Sequence, residues 1–172
     1  MLFRSGLVYC PGNINLRSFR SLKMEDFRND WELNTGGAIR VLQTYYGNLQ
    51  VATKPSVVLF STVAVRVGMP YHSSVAAAKG ALEALVKSLA AEWAPHIRIN
   101  VIAPSLTDTP LAGRLLDSES KIAAAEERHP LRRIGKASEI ASLASFLLSE
   151  KAASITGQVI HADGGISSVK LL

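Results

Sequence analysis

Short apolar stretches alternate with longer periodic ones along the 172 residues. Ser56 to Ser61, Ile97 to Ala103 and Ile155 to Ala162 are short, rich in Val and Ile, and followed by Pro, Gly or a polar turn. Such segments predict buried strands. Gly6 to Cys10 is a fourth, ending in Pro11-Gly12. Between them the period lengthens. From Phe27, apolar residues recur at Trp31, Ala38, Leu42 and Tyr45, which predicts a helix from Glu25 to Tyr46. A second stripe, Leu82, Leu85, Val86, Leu89 and Trp93, predicts a helix from Ser74 to Trp93. A third runs Ile140, Leu143, Ala144, Leu147 and Leu148, with Ser138 as its expected cap and Glu139 in its first turn.

Strands alternating with helices imply parallel pairing in a layered α/β domain. No period repeats and no Pro/Gly/Ser-rich linker divides the chain, so residues 1–172 read as a single domain. Ser105 to Arg133 reads as a loop plus helix over the C-terminal strand ends, where open α/β sheets hold their ligands. Asn34 falls on the stripe with Trp31 and Ala38, so it is expected to be buried and in need of partners.

Composition narrows the class. Apolar residues make up 48% and charged residues 19%, ordinary for a globular protein and too apolar for disorder. Runs such as Val57-Val58-Leu59-Phe60 fall far short of the ~20 residues of a membrane span. The opening residues lack the apolar core of a signal peptide, and Cys10 is alone, so a cytoplasmic location is expected. A net charge of +5 raises the question of nucleic acid. The basic residues are spread, and the one cluster, Arg128, Arg132, Arg133 and Lys136, has no interleaved aromatic residue for base stacking. Neither nucleic acid nor membrane is expected as a partner. His96, His129 and His161 have no metal-ligand spacing, so no metal is expected. The 12 glycines form no GxGxxG, the loop with which bare backbone approaches a pyrophosphate at a helix N-terminus.

Four stretches together resemble the short-chain dehydrogenase/reductase family, and the similarity runs from about Gly6 to the end. The most specific order is His129-Pro130-Leu131, Arg133-Ile134-Gly135, Phe146-Leu147-Leu148-Ser149, Ile155-Thr156-Gly157-Gln158 and Asp163-Gly164-Gly165. Arg98-Ile99-Asn100-Val101-Ile102-Ala103-Pro104 is similar to the strand and turn beneath the nicotinamide. Lys79-Gly80-Ala81-Leu82 and Leu89-Ala90-Ala91-Glu92-Trp93 resemble the helix carrying the family's lysine, and Trp31-Glu32-Leu33-Asn34 the helix holding its asparagine. The resemblance implies a Rossmann-like doubly wound parallel sheet, of which this chain holds the C-terminal portion, strands 4–7. Of a full domain of roughly 250 residues, about 70–80 upstream, with the cofactor-binding half, would be missing. Leu2-Phe3-Arg4-Ser5 fits no element and reads as a remnant. Such a fragment is expected to be poorly soluble alone.

The resemblance also implies chemistry: hydride transfer between NADP or NAD and a small carbonyl or enoyl substrate. The family uses a tyrosine four residues before the lysine as its acid/base. Here Lys79 is in place and Val75 stands at the tyrosine position. The substrate-orienting serine, thirteen residues before the tyrosine, falls at Thr62, with Ser61 adjacent. Either hydroxyl is a candidate; the alternative is a strand-end hydroxyl satisfying local backbone. Asn34 would kink its helix and hold a water of the proton relay. Lys79 would meet the ribose hydroxyls, the alternative being a snorkelling side chain. His72 has the Tyr–Lys spacing of the enoyl-reductase branch and Tyr71 lies one position off it, so both are candidate replacements for the tyrosine. Tyr9-Cys10-Pro11-Gly12 stands where the family has Asn-Asn-Ala-Gly, which places Gly12 at the cofactor. Pro104-Ser105 replaces a Pro-Gly turn, Thr107 falls where backbone binds the nicotinamide carboxamide, and Thr109 where a hydroxyl caps the next helix. The two long helices form the oligomer bundle in the family, so a homodimer or homotetramer is implied. The other reading is a catalytically inactive binding or dimerisation scaffold, because Val75 has no proton to give.

Overall fold

The computed structural model describes residues 6–170; Leu2 to Ser5, read above as a remnant, lie outside the described residues. Four parallel strands form one sheet in the order β1 (Gly6–Tyr9), β2 (Ser56–Phe60), β3 (Arg98–Pro104) and β6 (Val159–Ala162). Register is continuous across it: Leu7 pairs with Val57, Val57 with Ile99, and Val101 with Val159. The helices are α1 (Met24–Trp31), α2 (Gly37–Val51), α3 (Ala64–Val67), α4 (Ser73–Trp93), α5 (Glu119–Arg128) and α6 (Ala137–Leu148). Two short strands, β4 (Thr107–Asp108) and β5 (Gly135–Lys136), pair parallel beside the main sheet.

Both sheet faces are covered, and the strand sequences show why. Val57 and Leu59 point into a core with Leu42 and Leu49 of α2, and Leu82, Val86 and Trp93 of α4. Val58, one residue on, points the other way to Ile102, and to Ala144 and Leu147 of α6. Successive side chains alternate faces, so a strand buried on both must be apolar throughout. Arg98 ties the layers at one end: its guanidinium donates to the carbonyls of Leu147 (2.9 Å) and Ser149 (3.0 Å), closing the C-terminus of α6.

The structure departs from the sequence expectations at three elements. The helix expected from Glu25 to Tyr46 is two α-helices joined by a π-helical turn, Glu32–Gly36. Its wider pitch rotates the buried face, so Trp31 is 41% exposed and Tyr45 49%, while Asp30, Asn34, Thr35 and Ala38 are buried. The last strand starts at Val159, not Ile155: Gly157 takes φ +68°, and buried Asn100 holds the connection by donating to Ile155 O (2.9 Å) and accepting from Gln158 N (3.1 Å). Finally, Ser138 lies inside α6 instead of capping it. Lys136 occupies the cap position, its N–H donating to the Glu139 carboxylate at 2.8 Å. Arg133 grips the same carboxylate, and its hydrogen bonds, with that of Lys136, hold the exposed Glu139 down to about 2.

Candidate active site

The site is built at the C-terminal ends of β1, β2 and β3, on the side where α4 begins. Two backbone bonds bring the strand ends together: Ser61 N–H to Ile102 O (2.8 Å) and Val63 N–H to Pro104 O (3.0 Å). Against them lies Lys79, one turn along α4 from Val75, 6% exposed. Its ammonium donates to Phe60 O at 2.6 Å and among the described residues meets no carboxylate. Burial pulls its pKa down to about 8, with Cys10 opposing.

Gly12 sits between this lysine and the π turn. A Cβ added there would stand 3.6 Å from Lys79 Nζ and 3.5 Å from Asn34 Oδ1, so the missing side chain leaves the two groups open to a shared space. Asn34 is 0% exposed, as expected from the stripe. Its Nδ2 donates to Asn13 Oδ1 (2.8 Å) and Asp30 O (2.7 Å), while its Oδ1 is buried with no partner among the described residues. Thr35 Oγ donates to Ala78 O at 2.6 Å, fastening the π turn to α4 beside Lys79.

The other expected residues fall into two groups. Thr62 lies at the strand end and accepts from Ala64 N–H at 3.3 Å through its hydroxyl oxygen. Ser61, though adjacent in sequence, turns the other way and donates its buried hydroxyl to the Glu83 carboxylate of α4. His72 stands at the N-terminal cap of α4, its Nδ1 2.7 Å from Pro70 O. A carbonyl only accepts, so Nδ1 carries the proton. Tyr71 has φ +67° and is 62% exposed, its carbonyl taken by Arg17 N–H.

Beyond β3, the Pro104-Ser105 turn holds a contact the sequence did not announce. Ser105 Oγ lies 2.9 Å from Nε2 of the buried His129, whose Nδ1 is 2.7 Å from Ala125 O. The carbonyl again fixes a proton on Nδ1, so Nε2 is the ring nitrogen that meets the Ser105 hydroxyl. Thr107 donates to Ser105 O at 3.0 Å. Thr109 holds the cap position of the following 3-10 turn, but its hydroxyl bonds back to Thr107 O (3.4 Å) and supplies no side-chain cap. Also missed were Asp30, Asn13 and Asn15. The Asp30 carboxylate accepts from both asparagines, and the only sequence signal was an acid on a buried helix face.

Among the described residues no three His, Cys, Asp or Glu side chains gather to hold a metal. No helix there is long and apolar enough to cross a membrane. The groups present do suit a nicotinamide nucleotide: a buried ammonium without a counterion, an orphaned amide oxygen, and a glycine between them.

Comparison with known proteins agrees with this geometry. Residues 5–167 match the family described as enoyl-(acyl carrier protein) reductase. A tropinone reductase homolog of Arabidopsis thaliana is 38% identical over 162 residues, 94% of this chain and 62% of that protein. The inactive 2-(S)-hydroxypropyl-CoM dehydrogenase 2 of Xanthobacter autotrophicus is 31% identical, covering 96% of this chain and 74% of that one. Ligand-free aldohexose dehydrogenase of Thermoplasma acidophilum superposes with TM-score 0.91 at 31% identity, over 98% of this chain and 69% of that one. Gluconate 5-dehydrogenase of Burkholderia cenocepacia, solved with NADP and tartrate, gives 0.90 at 26% identity. The chain spans 53% to 62% of the length of the tropinone reductase homologs of Arabidopsis thaliana that it matches. With the parallel sheet, the π turn and the buried lysine in place, the chain belongs to the short-chain dehydrogenase/reductase family.

Proposed function

We propose that the whole protein is an NAD(P)-dependent oxidoreductase acting on a small carbonyl or enoyl compound. The observation that carries this is Lys79: a buried ammonium with no carboxylate partner, facing Gly12 and the orphaned Asn34 Oδ1. Burying a charge with one main-chain carbonyl as its partner costs several kcal/mol, a cost that the hydroxyls of a ligand would offset. The nicotinamide supplies or takes the hydride at carbon, and an equal step must add or remove a proton at substrate oxygen or the neighbouring carbon. Lys79 would hold the ribose hydroxyls, with Gly12 leaving the approach open. Ser105 and Thr107 flank the place where the carboxamide would lie, Pro104 and Thr109 bounding that turn. Thr62 would orient the substrate oxygen; Ser61 is spent on Glu83.

What is missing is a proton donor at the family's tyrosine position. Val75 is inert; of the two candidate replacements, Tyr71 is 62% exposed and His72 holds its Nδ1 against Pro70 O. A second reading follows from the same residue: an inactive scaffold that associates through α1 and α4, as a homodimer or homotetramer. Phe27, Trp31 and Ala77 line an apolar hollow on that face, which supports association under either reading. Steady-state NADPH oxidation by the whole protein across carbonyl and enoyl substrates tests the first reading. Turnover abolished by Lys79→Ala is expected. Nucleotide binding without turnover of any substrate would leave the scaffold.

A further inference from the structure

We infer that Asp30 is a positioning residue: its main-chain carbonyl and, through Asn13, its carboxylate together fix the direction in which Asn34 presents its amide to the Lys79 side of the site. Asp30 is 1% exposed, with its oxygens on Asn13 Nδ2 and, at 3.2 Å, Asn15 Nδ2. An ionised carboxylate can only accept. Asn13 must therefore turn its NH2 to Asp30 and its oxygen to Asn34, where it accepts at 2.8 Å. That oxygen only accepts as well, so Asn34 turns its own NH2 inward. The second proton of the same NH2 goes to the main-chain carbonyl of Asp30 at 2.7 Å. Both Asn34 donors are then used, and its acceptor is left toward Gly12 and Lys79.

A lone asparagine side chain gains little from one flip state over the other. Here each flip sets oxygen against oxygen, at Asn13 with the carboxylate or at Asn34 with the carbonyl. The carboxylate at Asn13 and the main-chain carbonyl at Asn34 thus give a chain of two amides a single sense, ending in an acceptor on the Lys79 side. The inference rests on the proposed reductase reading only for what Lys79 does; the amide order is independent of it.

The test is hydrogen exchange of the Asn34 side-chain amide, followed by NMR in the whole protein labelled with 15N-asparagine. In the unaltered protein both protons are expected to exchange slowly, and a freely exchanging pair overturns the inference. Asp30→Asn lets Asn13 flip. The Asn34 proton aimed at Asn13 should then exchange roughly tenfold faster or more, while its partner on the main-chain carbonyl stays protected. The decisive variant moves the acid along the chain: Asn13→Asp with Asp30→Asn restores an acceptor-only group against Asn34. Renewed protection of that one proton is expected. A purely structural carboxylate at position 30 would not be rescued from position 13. Unchanged exchange in Asp30→Asn, no rescue in the double variant, or unfolding of both variants each overturns it. Because exchange needs no substrate, failure of the reductase reading shows separately as absent turnover.

Discussion

The phenol of Tyr9 fills the space that a side chain at Gly37 would need. Its hydroxyl donates to Leu33 O at 2.6 Å inside the π turn, and a Cβ on Gly37 would come within 2.1 Å of that oxygen. Tyr9 takes the place of an asparagine of the family pattern, and it bridges the end of β1 to the kinked helix with a bond from phenol to main chain. Burial raises its pKa above the usual phenol range, in keeping with a hydroxyl that stays protonated as donor.

Gly37→Ala is therefore expected to destabilise the protein, although alanine in a helix ordinarily gains about 1 kcal/mol over glycine. Overpacking against the phenol costs about 1–3 kcal/mol and decides the sign. Tyr9→Phe removes the clashing oxygen, so the two substitutions combined should cost less than their sum. Urea unfolding of the two single variants and the double measures this; additive effects would mean that the two positions do not touch.

Lys79 makes stability depend on pH above neutrality. Its folded pKa of about 8 lies below the ordinary 10.5, so the unfolded chain binds more protons between those values. Stability then rises with pH across that window and is flat below it with respect to this group. Lys79→Met should remove the slope and stabilise the protein at pH 7 by a few kcal/mol, on the order set by the shift. Chemical denaturation at pH 7, 8, 9 and 10 on both proteins checks the prediction. An identical slope in both would place the titration elsewhere.

Val75→Tyr restores a phenol four residues before Lys79, on the same face of α4. If the whole protein is a reductase limited by its missing acid, NADPH turnover should rise by about 10²-fold or more, the range of general acid catalysis. The rate should fall as pH rises through the pKa of the phenol, which the ammonium lowers. No gain, in a variant that still binds nucleotide, would mean that another group already delivers the proton or that the substrate site is closed.

Much of this was legible in the sequence because burial follows period. Alternate faces of Val57-Val58-Leu59 had to be covered by helices, and the stripe through Leu82, Val86 and Trp93 had to face the sheet. The burial of Asn34 follows from the stripe it shares with Ala38, while the place of Lys79 and its four-residue separation from Val75 come from the family resemblance. What spacing cannot carry is a hydrogen bond between elements. Trp31 and Tyr45 turned outward because a π turn shifted the helical register, and that turn is held by Tyr9 from a strand far upstream. Ser61 and Thr62 are chemically alike and adjacent, yet only packing against α4 sends one to Glu83 and leaves the other at the strand end. Ser105 with His129, and Asp30 with Asn13, are pairs whose members lie on separate elements, joined when the sheet brings loops together. The chain determined its layers through hydrophobic period; the tertiary structure decided which polar atoms meet, because each such contact depends on distances that no local pattern encodes.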